Sequence, residues 1–299
     1  MLHPKPKLII IGGPTAIGKT RAAIQLAQRL GTEIISADSR QIYRQLAIGV
    51  GRPTEEELKT AKHHLIGKID IHQHYHAADF EKDALTLLEN IYTQHPYAIV
   101  CGGTGLYIQT LCDGIDEMPE VNTAIREQLN ARFTQEGISF LQNYIYQHDP
   151  QLVASIDMHN HKRLIRAVEI MEQTQRPYST FRKSIKKERF FEPIFFCLYD
   201  EREQIKKNIT SRIELMLTQG WIEECQKLLP FKHLKALQTV GYKDIFEYLE
   251  GKITYPEMKQ LILTHTNQYA KRQLTWFKRD ARYHWVKNLD EIYKTLDLK

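Results

Sequence analysis

A chain of 299 residues, 42% of them hydrophobic, is long enough for one large domain or two modest ones and apolar enough to build a core, so a globular fold is expected. Lysine and arginine outnumber aspartate and glutamate by 41 to 36, and the formal charge of +5 is compatible with a polyanionic partner but far too small to identify one. The four cysteines (Cys101, Cys112, Cys197, Cys225) form no CxxC pair, and no stretch approaches the ~18 apolar residues of a membrane span, which argues against a disulfide framework, a structural zinc site and a membrane protein. The first residues contain too short an apolar run for a signal sequence, and a soluble cytoplasmic protein is expected.

Residues 7–13 are a β-branched run broken by glycines, and residues 19–30 place Ala22, Ala23, Leu26, Ala27 and Leu30 at helical spacing, which predicts a buried strand feeding a helix. Residues 33–38 and 97–101 read as two more buried strands, with a helix over 79–92 ahead of the second. Strands alternating with helices predict an α/β fold with a doubly wound parallel sheet. From about Gly114 the pattern is helical only: 121–136 ending at Gly137, then 140–148, then 160–173 with Asn160 as N-cap. A strand returns at 193–199, and a long helix covers 255–279 before a short HWV segment. The expected organisation is a P-loop core in residues 1–114, a helical insertion in 115–190, and core completion with C-terminal helices in 191–299.

Gly13, Pro14, Thr15, Ala16, Ile17, Gly18, Lys19 and Thr20 satisfy GxxxxGK[ST] between a predicted strand and helix. Glycines let backbone N–H groups turn onto a phosphate, the helix N-terminus adds partial positive charge, Lys19 adds a full one, and Thr20 offers a hydroxyl to Mg2+. The loop does not say which phosphate it holds. Asp38 and Asp200 each end a predicted strand and could serve as the metal carboxylate of an NTP site, so a P-loop kinase or NTP-dependent phosphotransferase stays open. Asp38, Ser39, Arg40 and Gln41 sit at the carboxyl edge of the predicted sheet, where such folds bind ligands, and Gly102, Gly103, Thr104 and Gly105 follow another strand in the same way. Alone, Asp38 also reads as a turn residue and the GGTG segment as a simple turn.

Together the segments GPTAIGKT, DSRQIY, IGVGRPT, HHL, VCGGTGLY, KRLIRAVEI, RIELMLTQG, VGYKD and YAKRQLTWFKR, in that order, resemble the tRNA dimethylallyltransferase (tRNA isopentenyltransferase) family over nearly the whole chain. The resemblance implies that the P-loop holds dimethylallyl diphosphate rather than a hydrolysable nucleotide, with Mg2+, and that the prenyl group goes to the N6 amine of the adenosine immediately 3′ of the tRNA anticodon. It implies Asp38 as general base, with Thr104 and Arg212 also catalytic. It implies tRNA contacts, on the anticodon stem-loop, at Asp38, Ser39, Arg40, Gln41, Thr104, Arg126, Lys162, Arg163, Leu164, Ile165, Arg166, Thr239, Val240, Gly241, Tyr242 and Lys243; a monomer is expected, although the sequence does not show the oligomeric state. There are departures. The usual GTAKP reads Gly49-Val50-Gly51-Arg52-Pro53, the QR pair reads Lys162-Arg163, and the TG ahead of Arg-Pro reads Thr174-Gln175.

The chemistry needs charge to stabilise departing pyrophosphate, met by Lys19, Arg212 and the loop amides, and a proton acceptor for the adenine amine, met by Asp38. On the long C-terminal helix, Gln268, Lys271, Arg272, Thr275, Arg279 and Arg282 are expected near one face, and residues 182–189 form a second basic run. A solvated charged face explains either as well. His63, His64, His72, His74 and His76 lack a nearby cysteine, and polar surface is expected there rather than a metal site. A non-catalytic relic would tend to lose Lys19, Thr20 or Asp38, and all are present; prenylation of free adenine nucleotides would need no large helical insertion.

Overall fold

The computed structural model describes residues 5–120, 122–183 and 185–298. Val121, in a predicted helix, and Ser184, in the basic run, lie outside the described residues.

The first compact unit comprises residues up to 113 and from 188 onward. Its elements are β1 (Lys7–Gly12), α1 (Lys19–Leu30), β2 (Ile34–Ser36), α2 (Glu55–Thr60), β3 (His63–His64), α3 (Ala77–Ile91), β4 (Tyr97–Cys101) and α4 (Gly105–Asp113). The second unit, Gly114–Lys187, holds α5 (Thr123–Glu136), α6 (Ser139–His148) and α7 (His161–Thr174). The first unit resumes with β5 (Glu192–Leu198), α8 (Arg202–Thr218), α9 (Trp221–Leu228), α10 (Tyr242–Leu249), α11 (Tyr255–Phe277), β6 (His284–Val286) and α12 (Leu289–Thr295).

The strands form one sheet in the order β3-β2-β4-β1-β5-β6, with every pairing parallel. Parallel strands covered on both faces are apolar throughout, and Leu8, Ile9, Ile10 and Ile11 of β1 are all fully buried. Helix α1 lays Ala22, Ala23, Leu26 and Ala27 on this sheet, the three alanines letting the helix come close, and ends at Gly31 in the left-handed region (φ 61°). Because β2, β4 and β1 are neighbours, the segments leaving their carboxyl ends converge: the phosphate loop after β1, the Asp38 segment after β2 and the GGTG segment after β4.

The second unit has a core of its own from Leu129, Leu141, Ile145, Leu152, Leu164 and Val168. Asn122 and Asn160 cap α5 and α7, each carboxamide oxygen accepting from a first-turn amide, so the Asn160 cap read from the sequence is present.

Two readings need correction. The long helix stops at Phe277, so Arg279 and Arg282 are not on its basic face, and Arg282 instead forks onto Asp113 (2.8 and 2.7 Å) and also binds Asp280. The strand predicted over 33–38 contracts to three residues, which leaves Asp38 in a turn. The histidines scatter: His63 and His64 form edge strand β3, His64 binds Glu33 and His72 binds Asp70.

Candidate functional site

The loop after β1 is built for close approach. Gly13 has φ 143°, and a Cβ there would lie 2.7 Å from the Leu198 carbonyl oxygen. Ala16 (φ 63°) and Gly18 (φ 92°) are both left-handed, costly for Ala and free for Gly, so the loop curls before α1 begins. Lys19 Nζ donates to its own loop at Pro14 O (2.7 Å). Burial, with Arg212 nearby, brings Lys19 down to about 8 against the opposing pull of Cys101 and Asp38. Such a cation is stabilised when an anion arrives.

The segment after β2 carries Asp38, whose Oδ1 accepts from the amides of Arg40 (2.8 Å) and Gln41 (3.3 Å). The bland reading of Asp38 as a turn residue is thus true of one oxygen, and it fixes where the carboxylate stands. Thr104 Oγ1 accepts from Ser39 N (3.0 Å), tying the GGTG segment to the Asp38 segment. Gln41 spans from Ser36 Oγ (2.9 Å) to the carbonyls of Gly51 (3.0 Å) and Val50 (3.4 Å), so it braces the GVGRP loop. Arg52, the cation in that loop, donates to the carbonyls of Tyr43, Arg44 and Leu46 and is structural. Gly51 (φ 57°) lies directly under the Arg212 guanidinium, where a side chain would displace it.

These groups enclose a cavity of about 770 Å3, lined by residues 15–20, Asp38, Gln41, Val50, Gly51, Arg212, Tyr269 and Gln273 among others. A second cavity of about 190 Å3 shares Thr15, Ala16, Asp38, Arg212 and Tyr269 and adds Ser39, Arg40, Ile209, Ile213, Trp221, Thr239 and Val240. Asp38 and Arg212 therefore border both. Burial lowers Arg212 from its ordinary range and Asp38 opposes that. Burial also pushes the Cys101 thiol up to about 12, so it stays neutral on the cavity wall. Thr20 lines the larger cavity next to Lys19, and a single hydroxyl beside a diphosphate would fit Mg2+, which takes most of its oxygens from phosphate and water.

The sequence-predicted RNA residues divide by accessibility. Lys162, Arg163 and Lys243 are exposed, and Thr239 and Val240 reach the smaller cavity. Leu164, Ile165 and Tyr242 are core residues whose side chains offer nothing to RNA, and Gly241 is packed against Trp221. Arg126 (2.7 Å) and Arg166 (3.2 Å) both bind Oε2 of the fully buried Glu169, and Arg40 is occupied by the carbonyls of Lys235 and Ala236.

Sequence reasoning missed two residues. Glu224 accepts from the successive amides of Ala47 (3.0 Å), Ile48 (2.8 Å) and Gly49 (3.2 Å) and from the Tyr242 hydroxyl (2.5 Å), so the tyrosine of VGYKD supports the cavity wall. Gln273 accepts from Thr15 N (2.8 Å) and donates to Gly103 O (3.0 Å). The signal for Gln273 was its place within the YAKRQLTWFKR segment; Glu224, in an acidic first helical turn, carried none.

A family profile described as IPP transferase matches residues 41–280. The chain is 43% identical over 289 residues to a tRNA dimethylallyltransferase of Christiangramia forsetii, covering 97% of this chain and 95% of that one. It is 40% identical over 278 residues to tRNA dimethylallyltransferase 2 of Parabacteroides distasonis, covering 93% of each. The crystal structure of the tRNA isopentenylpyrophosphate transferase from Bacillus halodurans superposes with a TM-score of 0.72 at 32% identity, over 98% of this chain and 96% of that one. A eukaryotic dimethylallyltransferase solved acting on tRNA superposes at 0.79 with 25% identity, over 96% of this chain and 76% of that one. With a P-loop sheet, a glycine-rich loop and Asp38 lining one cavity, and relatives aligned almost end to end, the chain belongs to the IPP transferase family.

Proposed function

We propose that the protein transfers a dimethylallyl group from dimethylallyl diphosphate to the exocyclic N6 amine of the adenosine immediately 3′ of the anticodon in tRNA, releasing pyrophosphate. The observation that carries this is the cavity lined both by the glycine-rich loop and by Asp38. In the reaction the amine nitrogen forms a bond to the first carbon of the donor, the carbon–oxygen bond to the diphosphate breaks, and Asp38 takes the amine proton. Lys19, Arg212 and the loop amides stabilise the leaving charge. Mg2+, held through Thr20, would supply further charge neutralisation on the diphosphate. Displacement requires donor and amine in line, and Asp38, fixed by two amides, is placed by the same turn that carries Ser39 and Arg40.

For tRNA we propose contacts from Ser39, Thr104, Thr239, Val240 and Lys243, and from Lys162 and Arg163 on the helical segment 115–190, which would grip the anticodon stem by its phosphates. Gln41, Arg40, Arg126 and Arg166 would reach RNA only by sharing or leaving their present partners. The enzyme would work as a cytoplasmic monomer. Radiolabelled dimethylallyl diphosphate and unmodified tRNA should give labelled adenosine after nuclease digestion. A protein that hydrolyses ATP and never labels tRNA would be the kinase-like reading instead.

A further inference from the structure

Both ends of the Gln273 carboxamide are committed, and they are committed to two different walls of the cavity. The side chain comes from the C-terminal part of α11, is 6% exposed, and reaches the cavity lining. Its Oε1 accepts from Thr15 N in the phosphate loop, and its Nε2 donates to Gly103 O in the segment after β4. From there the connection continues: Thr104 N donates to Ala37 O (3.1 Å), and Thr104 Oγ1 accepts from the amide of Ser39, the residue after Asp38. Resting on the prenyl-transfer reading above, we infer that Gln273 is a positioning residue that sets the separation between the diphosphate loop and the Asp38 wall.

Two observations support a positioning role. The Thr15 N–H points to Gln273, so it is spent on placing the loop and not on a phosphate oxygen. A Cβ at Gly103 would collide with Gln273 Nε2, so the second glycine of GGTG is what admits the carboxamide between the loops. An isosteric apolar side chain at 273 would fill the space and hold neither loop.

Gln273→Met and Gln273→Glu separate these possibilities in the full-length protein. Displacement is sensitive to misplacement of about 1 Å, so Gln273→Met should lower kcat for tRNA prenylation by roughly 10²-fold. Affinity for inorganic pyrophosphate, read by calorimetry, should stay near wild type, which also reports that the variant is folded. In Gln273→Glu the protonated carboxyl can accept from Thr15 N and donate to Gly103 O as the carboxamide does, whereas the carboxylate has no proton for Gly103 O. Its kcat relative to wild type should therefore rise as pH falls through the pKa of the introduced carboxyl, while the Met variant's ratio stays flat. Lys19, Arg212, Asp38, Cys101 and Tyr269 line the same cavity and are present in all three proteins, so their titrations largely cancel in the ratio. A Met variant with near wild-type kcat, pyrophosphate affinity lost in step with kcat, or equal pH-independent deficits in both variants would overturn the inference. A wild type that labels no tRNA would remove the prenyl-transfer reading, and this inference with it, an outcome distinct from wild-type labelling that the Met variant matches.

Discussion

Lys19 and Asp38 line one cavity, and the opposite tasks proposed for them each have their own signature. Lys19 is held near 8 by burial and by Arg212, so in the empty protein the ammonium begins to lose its proton at mildly alkaline pH. Diphosphate favours the charged form, so binding at pH ~8.5 should take up a proton. Calorimetry in buffers of different ionisation enthalpy should show that uptake at pH 8.5 and little of it at pH 6.5, and Lys19→Met should abolish it. The sign for stability is the reverse. The folded value lies below the ordinary 10.5, so the unfolded chain holds more protons between about 8 and 10.5 and this group makes the empty fold gain stability as pH rises through that window. For Asp38, replacement by Asn keeps an oxygen for the amides of Arg40 and Gln41 but accepts no proton from the adenine amine. Turnover of Asp38→Asn should fall by roughly 10²- to 10⁴-fold with pyrophosphate and tRNA affinity little changed. Near wild-type turnover would remove Asp38 as the base.

At the scale of elements, α7 shows how one helix carries two kinds of arginine. Arg163 is exposed, while Arg166 lies three residues before the buried Glu169 and binds its carboxylate together with Arg126 from α5. A buried carboxylate stripped of every cation costs about 3 kcal/mol or more, and the loss of Arg166 costs less than that because Arg126 stays on Glu169 and Arg166 is itself partly exposed. Arg166→Ala should therefore lower the thermal midpoint of the chain, and Arg163→Ala should leave it unchanged. In tRNA binding, Arg163→Ala should reduce the slope of log K against log salt by about 1 if it meets a phosphate. An unchanged slope would place Arg163 off the RNA.

The same contrast explains what was legible in the sequence. The phosphate loop is a contiguous motif whose glycines state their own geometry, and Asn160 announces a cap within four residues. Arg166 in KRLIRAVEI gives no sign of being bound to Glu169 and Arg126, because half of that partnership lies 40 residues away. The partners of Gln273 and Glu224 were illegible for the same reason: each acts on backbone 170 or more residues distant, and only the fold brings them together.

For the molecule as a whole, the contact pattern makes Gly114–Lys187 a testable piece. Its core is drawn from α5, α6, α7 and the short turn containing Leu152, all within that segment. Both helix N-caps, the Glu169 ion pairs, and the Asp149 carboxylate that binds Ser179 N (2.7 Å) and Oγ (2.8 Å) are also internal to it. Nothing in that list requires the sheet. Expressed alone, residues 114–187 should show helical circular dichroism and a cooperative thermal transition, although a core this small makes the midpoint modest. If the segment carries the RNA grip proposed for Lys162 and Arg163, it should also bind an anticodon stem-loop weakly, with affinity falling steeply as salt rises. Conversely, the chain with 115–187 replaced by a short flexible linker should still bind inorganic pyrophosphate, because every residue lining the larger cavity lies in the other unit, while tRNA affinity collapses. A linker variant that is folded yet keeps wild-type tRNA affinity would move the RNA grip onto the α/β unit, to Lys243, Thr239 and the helices around them.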